Sequence, residues 1–300
     1  MFAMRIAITG STGMVATALL PILRRAGHEV IPVVRDKGKA GSIYWDPSIG
    51  EIDTASLEGI DATVHLAGEN IASGRWTAAK KKRIQDSRVK GTRLISESLA
   101  RLQRLPKVIV SASAIGYYGD RGKEVLREDS TPGQGFLSQV CREWEAATDP
   151  AARKGIRVIH LRFGIILSSR GGALSKMLLP FKMGVGGRIG SGNQYMSWIS
   201  LDDVCGVILH CMETTGLQGA VNTVSPTPVT NAEFTRALGR ALSRPAIFPL
   251  PAFAARIVLG EMADDLLLSS ARVDPVKLQA TRYRFRHTDL EPTLKYLLGK

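Results

Sequence analysis

The stretch ITGSTGMVATALL, Ile8 to Leu20, follows an apolar run from Arg5 to Thr9 and leads into a segment with helical spacing, Gly13 to Ala26. A glycine pattern set between a strand and a helix reads as the phosphate loop of a dinucleotide-binding domain. Gly10 is expected to make the tight turn, Gly13 to let the backbone approach a pyrophosphate, and Ala16 to admit close packing of helix on strand. The first turn of such a helix offers unpaired N–H groups and a partial positive charge to an anion.

Outward from this loop the alternation continues. Glu29 to Val34 and Ala62 to Leu66 read as strands, and Thr77 to Arg104 as a long helix. Lys107 to Ser111 follows as a strand, Phe136 to about Arg153 as a helix, and Arg157 to Arg162 as another strand. Short apolar strands separated by helices predict an α/β fold, a Rossmann-type doubly wound parallel sheet covered on both faces. After Gly164 glycine, proline and methionine become frequent (SSRGGALSKMLLPFKMGVGGRIGSGNQ) and the alternation loosens. Residues 1–165 are therefore expected to form the nucleotide domain, with 200–225 returning to it. Residues 166–199 and 226–300 are expected to form a smaller C-terminal substrate lobe. The glycine-rich piece is either a lid or a plain connecting loop.

The end of the second strand bears on which dinucleotide fits. An acidic residue there accepts the ribose 2′-OH of NAD, whereas arginine pairs with the 2′-phosphate of NADP. In VIPVVRD, Val34 lies at the tip and Arg35 follows, with Lys37 and Lys39 adding positive field. This favours NADP(H). Asp36 would serve NAD if the strand ran one residue further.

Composition narrows the rest. An apolar content of 44% and a charged content of 22% suit a water-exposed globular chain, and no apolar run approaches the ~18 residues of a membrane span. The N-terminus turns into the glycine loop too soon for a signal peptide, so a cytoplasmic location is expected. Cys141, Cys205 and Cys211, with no CxxC, form neither a disulfide framework nor a zinc site. The net charge of +13 attracts anions in general. Much of it lies in WTAAKKKRIQDSRVKGTRLISESLARLQRLPK, where Ile84, Val89, Leu94, Ile95 and Leu99 recur at helical spacing. Many of its cations are read as a solvated face, and nucleic acid is not the expected partner because no binding motif accompanies them.

HLAGEN (His65 to Asn70) and SASAIGYYG (Ser111 to Gly119) resemble segments of the extended short-chain dehydrogenase/reductases. GENIASGRW, DSRVKGT, SASAIGYYGDRG, GGALSKMLLPFKMGVGG with GSGNQYMSWI, and SPTPVTNAEF with PLPAFAARIVLGEMADDLLL together resemble an atypical branch of them. That branch is often labelled epimerase family, sugar-nucleotide epimerase-like or cell-division-inhibitor-like. The likeness covers essentially the whole chain and implies an NADP(H) site and a small substrate lobe. It implies that Gly10, Ser11, Thr12, Gly13, Met14 and Val15 hold the pyrophosphate, and Val34 and Arg35 the adenosine phosphate end. Leu66, Ala67 and Gly68 would line the adenine–ribose passage, and Ile165 would lie near the nicotinamide. Arg88 falls where many relatives carry a structural asparagine and is a candidate cofactor contact. Arg83 is a further candidate, as is Ser111 on the strand that bears Ser113.

Hydride transfer to a carbonyl needs a polarising donor and a proton source. In the superfamily these are a Ser or Thr at the end of the fifth strand and a Tyr assisted by Lys. Ser113 matches the serine, and Tyr117 and Tyr118 supply nearby phenols. The Tyr-x-x-x-Lys pair should fall in FLSQVCREWE, Phe136 to Glu145, but Leu137 and Cys141 occupy those positions. Phe136, Val140, Trp144 and Ala147 form one apolar stripe there, so the helix reads as packing and Cys141 as a buried thiol.

Arg75, Trp76, Lys182, Arg188 and Trp198 are candidates for an anionic substrate pocket, and no His/Asp/Glu spacing suggests a metal. Two readings stand: a reductase or epimerase acting on a small carbonyl or nucleotide-sugar compound, or a catalytically silent NADP(H)-responsive regulatory protein. A third, nucleic-acid binding through the basic helix, ranks below both.

Overall fold

The computed structural model describes residues 3–300. Strands β1 (Arg5–Thr9), β2 (Glu29–Val34), β3 (Ile43–Asp46), β4 (Glu51–Ile52), β5 (Ala62–His65), β6 (Val108–Ala114), β7 (Arg157–Phe163) and β8 (Gly219–Thr223) form one sheet. Its order is β8-β7-β6-β5-β1-β2-β3-β4, parallel throughout except for the antiparallel β3–β4 pair. The order reverses direction between β1 and β5, and ligands of such sheets bind at the carboxyl ends of the strands flanking that switch.

Strand alternation sends two sets of side chains to opposite faces. Ile6, Ile8, Val64, Val110 and Leu161 meet α1 (Met14–Arg25) and α5 (Leu201–Glu213) in one core. Ala7, Val33, Ile109 and Val158 meet α2 (Ala78–Leu99) in the other. A separate core joins α4 (Gly172–Lys182), α6 (Asn231–Leu242) and α7 (Leu290–Leu297) around Trp198 and Phe234. α6 opens on a capping box, in which the Thr230 hydroxyl accepts from the Glu233 N–H and the Glu233 carboxylate accepts from the Thr230 N–H.

Three local readings of the sequence need revision. The long basic helix starts as expected, with the Thr77 hydroxyl accepting from the Lys80 N–H, but ends at Leu99. The segment read as a single helix to Arg153 is broken into α3 (Phe136–Ala146) and a separate short helix, Asp149–Arg153. Pro150 lacks the N–H that a continuous helix needs and crowds the preceding turn. The edge strands β3 and β4 were not foreseen, because SIYWDPSIGEI is short and rich in turn residues. Trp45 nonetheless buries its ring there, against the edge of His65.

Candidate functional site

Gly10 leaves β1 with φ of 65°, a region costly to any side chain. A Cβ at that position would lie 2.9 Å from the carbonyl of Leu66, so glycine also lets β1 and β5 close on one another. The loop is locked by the Gly13 N–H donating to the Gly10 carbonyl at 2.9 Å. Gly13 then caps α1 with no side chain over the first turn and no acidic residue within it. Ala16 is buried against the strands, whereas Thr12 and Gly13 are exposed and Ser11 and Val15 partly so. Met14 lies beside Gly171 and Gly172, joining the loop to the start of α4.

A buried polar chain fixes this loop from beneath. The Thr9 hydroxyl accepts from the N–H groups of Leu66 (3.0 Å) and Ala67 (3.2 Å), so its own proton goes to His65 Nδ1 at 2.9 Å. His65 Nε2–H therefore donates to the Thr92 hydroxyl, which also accepts from Trp144 Nε1 at 2.8 Å. Burial drops the His65 pKa to about 4, so the ring is neutral and acts as a spacer.

At the tip of β2, Val34 is half-buried and Arg35 exposed. Asp36 turns back on its own loop, accepting from the Gly38 N–H at 3.1 Å. Lys37 lies over the Tyr44 ring and 3.7 Å from Glu51. Asp46 is held below the usual carboxylate range by hydrogen bonds from Ser48, with Arg35 contributing through its charge.

The loop after β5 is tethered to α2. Glu69 accepts from Lys80 Nζ at 2.6 Å and lies 3.9 Å from Arg83, and its N–H donates to Ser87. Lys80 is thus buried and paired, not part of a solvated face. Along α2, Lys82 and Lys90 share Asp86, and Arg93 pairs with Glu97. Arg88 lies under Gly68, donates to the Glu69 carbonyl at 3.0 Å and faces the Trp144 ring. Arg83 stays exposed.

The carboxyl ends of β6, β7 and β8 carry a second polar group. Ser113, Arg162 and Asn222 are register neighbours across these three strands. Ser113 donates to Glu145 Oε1 at 2.6 Å, and Arg162 grips both oxygens of Glu145 at 2.8 Å. Arg162 also donates to the Tyr118 hydroxyl at 2.9 Å, and that hydroxyl donates to Asn222 Oδ1 at 2.6 Å. Burial raises the Tyr118 phenol to about 12. It also pushes Glu145 upward, but the Arg162 hydrogen bonds and charge outweigh this and leave its carboxyl below the ordinary range. Ser111 is buried one step earlier on β6.

Two of the three candidate catalytic hydroxyls are therefore already committed. Tyr117 differs: its ring is half-buried, the Arg162 guanidinium lies 3.5 Å from its centroid, and its hydroxyl has no hydrogen bond among the described residues. The α3 helix seats against the turn bearing these tyrosines. The Ser138 hydroxyl lies 2.8 Å from the Tyr117 carbonyl, and Leu137 and Cys141 pack on Gly116. Burial, followed by the Glu145 charge, raises the Cys141 thiol to about 12, which makes it inert as a nucleophile.

Ile165 lies in a short strand beside Trp198, beyond Gly164, where a Cβ would lie 2.5 Å from the Ser197 carbonyl. Trp76 faces Phe136 edge-on above an open cleft of about 760 Å³ that Lys81 and Glu261 also line. Arg75 reaches the Ile257 carbonyl at 3.0 Å. Lys182 and Arg188 lie exposed, and Trp198 is buried in the core it shares with Phe234. These five do not form one pocket. Among the described residues no His/Cys/Asp/Glu group could hold a metal ion, and no helix is long and apolar enough to cross a membrane.

Glu145, Arg162, Asn222 and Asp265 were not singled out from sequence. The signal was Arg162 itself, a charge inside the apolar strand RVIHLRF, which demands a buried counter-ion. Asp265, from the C-terminal segment, meets the Leu137 backbone at the start of α3, and burial followed by Glu261 raises its carboxyl.

Residues 6–223 match the NAD dependent epimerase/dehydratase family. The chain belongs to that family. Residues 250–297 match a second family described only as a domain of unknown function, DUF1731. Epimerase family protein ML0860 of Mycobacterium leprae is 42% identical, covering 97% of this chain and 94% of that protein. The crystal structure of human epimerase family protein SDR39U1 with NADPH superposes with a TM-score of 0.90 at 36% identity, covering 99% of this chain and 100% of that one. A nucleoside-diphosphate sugar epimerase structure from Corynebacterium glutamicum gives 0.83 at 36% identity, with 99% of this chain covered and 59% of that one. The doubly wound fold and the family resemblance read from the sequence agree with these matches.

Proposed function

We propose that this member of the epimerase/dehydratase family binds NADP(H) and acts as a reductase or epimerase on a small carbonyl or nucleotide-sugar compound, with Tyr117 moving the proton. The observation that carries this reading is the open first turn of α1 after β1, with Arg35 exposed at the tip of the neighbouring strand β2. Gly10 to Val15 would receive the pyrophosphate, Val34 and Arg35 the adenosine end with its 2′-phosphate, and Leu66, Ala67 and Gly68 the adenine–ribose passage. The residues present fit such a group, since the N–H groups of the turn have no side-chain cap and Asp36 is engaged with Gly38. The NADPH in the human SDR39U1 structure supports the same choice. When bound, the nicotinamide supplies or accepts a hydride.

Within the protein, Ser113 cannot polarise a substrate carbonyl while its proton is held by Glu145, so it serves first to orient that carboxylate. Arg162 then holds its guanidinium over the Tyr117 ring and leaves that hydroxyl as the uncommitted one for a substrate. A second reading is favoured by one observation: Leu137 and Cys141, at the positions of the missing pair, are packing residues. On that reading the protein binds NADP(H) and regulates without turnover.

The test is NADPH oxidation against a panel of carbonyl compounds by wild type and Tyr117→Phe. The proposal expects turnover in wild type, a loss of about 100-fold or more in the variant, and an unchanged melting temperature. Absence of turnover in wild type with intact NADPH binding would leave the regulatory reading standing.

A further inference from the structure

The outer face of the small lobe has no role in the site described above. The end of α4 continues as a strand-like run, residues 183–190, laid against residues 244–250 through hydrogen bonds between Phe248 and Gly186 and between Leu250 and Arg188. This platform exposes large apolar side chains: Ile247 is 72% accessible, Met183 68% and Leu179 66%, with Val185 and Phe248 also above half. Clusters of this kind on a water-facing surface mark an interaction site.

The two segments that build it carry charges of one sign. Residues 164–201 contain no Asp or Glu, and neither do residues 234–260. Each of those segments carries four Lys or Arg. Arg240 and Arg256 are neutralised by Glu291 and Asp264. Arg188 and Arg244 instead donate to the carbonyls of Ser191 and Lys182. Among the described residues, none of Lys182, Arg188 and Arg244 has a carboxylate within 4.0 Å.

We propose that this platform docks on an anionic lipid surface, inserting Leu179, Met183 and Ile247 between headgroups while Lys182, Arg188 and Arg244 meet phosphates. Apolar side chains rimmed by cations match the boundary between acyl chains and charged headgroups. A second copy of the chain matches poorly, because a two-fold contact sets the same cations against one another in a protein of net charge +13. Lys182 and Arg188, candidates from sequence for an anionic pocket, thereby acquire a different anion.

The full-length protein should co-sediment with vesicles of equimolar phosphatidylcholine and phosphatidylglycerol, and not with pure phosphatidylcholine. Ile247→Ser with Met183→Ser should weaken that binding at least tenfold without lowering the melting temperature, and Lys182→Glu with Arg244→Glu should do the same. Three results would overturn the proposal. One is absence of sedimentation with the anionic vesicles. Another is undiminished binding by the apolar variant, which would assign it to the basic helix α2. The third is concentration-dependent self-association, or capture of an acidic soluble protein, that is lost in the same variants while vesicles are ignored.

Discussion

At the end of β1, the first turn of α1 has neither a capping side chain nor an acidic residue. At the end of β6, some way along the same sheet edge, the Ser113 hydroxyl is already bonded to Glu145, and Tyr118 is bonded on both sides. The first region leaves its polar groups turned outward for a ligand. The second has consumed most of its own in a buried ion-pair network. An unmet backbone donor at a helix start costs little while water can reach it, whereas an unmet Arg162 would be a buried bare charge. On the function proposed above, a cofactor loop can be kept while the proton-transfer end is rebuilt, since the two depend on separate sets of partners.

The closed end is where substitution should cost most. Glu145→Ala strands a guanidinium that is 4% accessible, and is expected to destabilise by about 3–5 kcal/mol in denaturant titration. The pair also sets a pH dependence. Because Glu145 has its carboxyl depressed in the folded chain, its contribution is complete above the ordinary glutamate value near ~4.3 and is lost as pH falls through the lower folded value. Wild type should therefore lose stability on acidification below that range more steeply than Glu145→Ala does. Equal slopes would show that the network is not ionised as described.

Breaking the open end should cost less stability and more binding. Gly10→Ala forces a side chain into a left-handed conformation and against the Leu66 carbonyl, an expected penalty of about 2–3 kcal/mol. The variant should also lose the rise in melting temperature that NADP⁺ gives wild type. A retained rise would separate the glycine turn from cofactor binding. The smallest effect belongs to Cys141→Ala, expected to cost about 1 kcal/mol as a lost core contact and to leave any turnover unchanged. Loss of activity there would contradict the assignment of this thiol to packing.

How much was legible in the sequence follows the same division. The turn at Gly10 and Gly13, the parallel strands and the buried face of α3 are local features, written in short-range patterns of glycine and apolar residues. The Ser113–Glu145–Arg162–Tyr118–Asn222 network joins β6, α3, β7, a turn and β8, and no short pattern announces a contact such as Tyr118 with Asn222. Nothing in the run Lys80 to Arg83 sets one lysine apart, yet Lys80 is drawn inward because Glu69 and Ser73 wait for it. The edge strands β3 and β4 escaped notice because they owe their place to Trp45 packing beneath them.

The central claim, an NADP(H) site intact beside a rebuilt catalytic end, is tested most directly by calorimetric titration of wild type and Arg35→Ala with NADP⁺ and NAD⁺. A charge-assisted contact to the 2′-phosphate is expected to give wild type at least a tenfold preference for NADP⁺, or about 1.4 kcal/mol, and the variant little or none. Equal affinity of wild type for both dinucleotides, or no binding of either, would contradict the account.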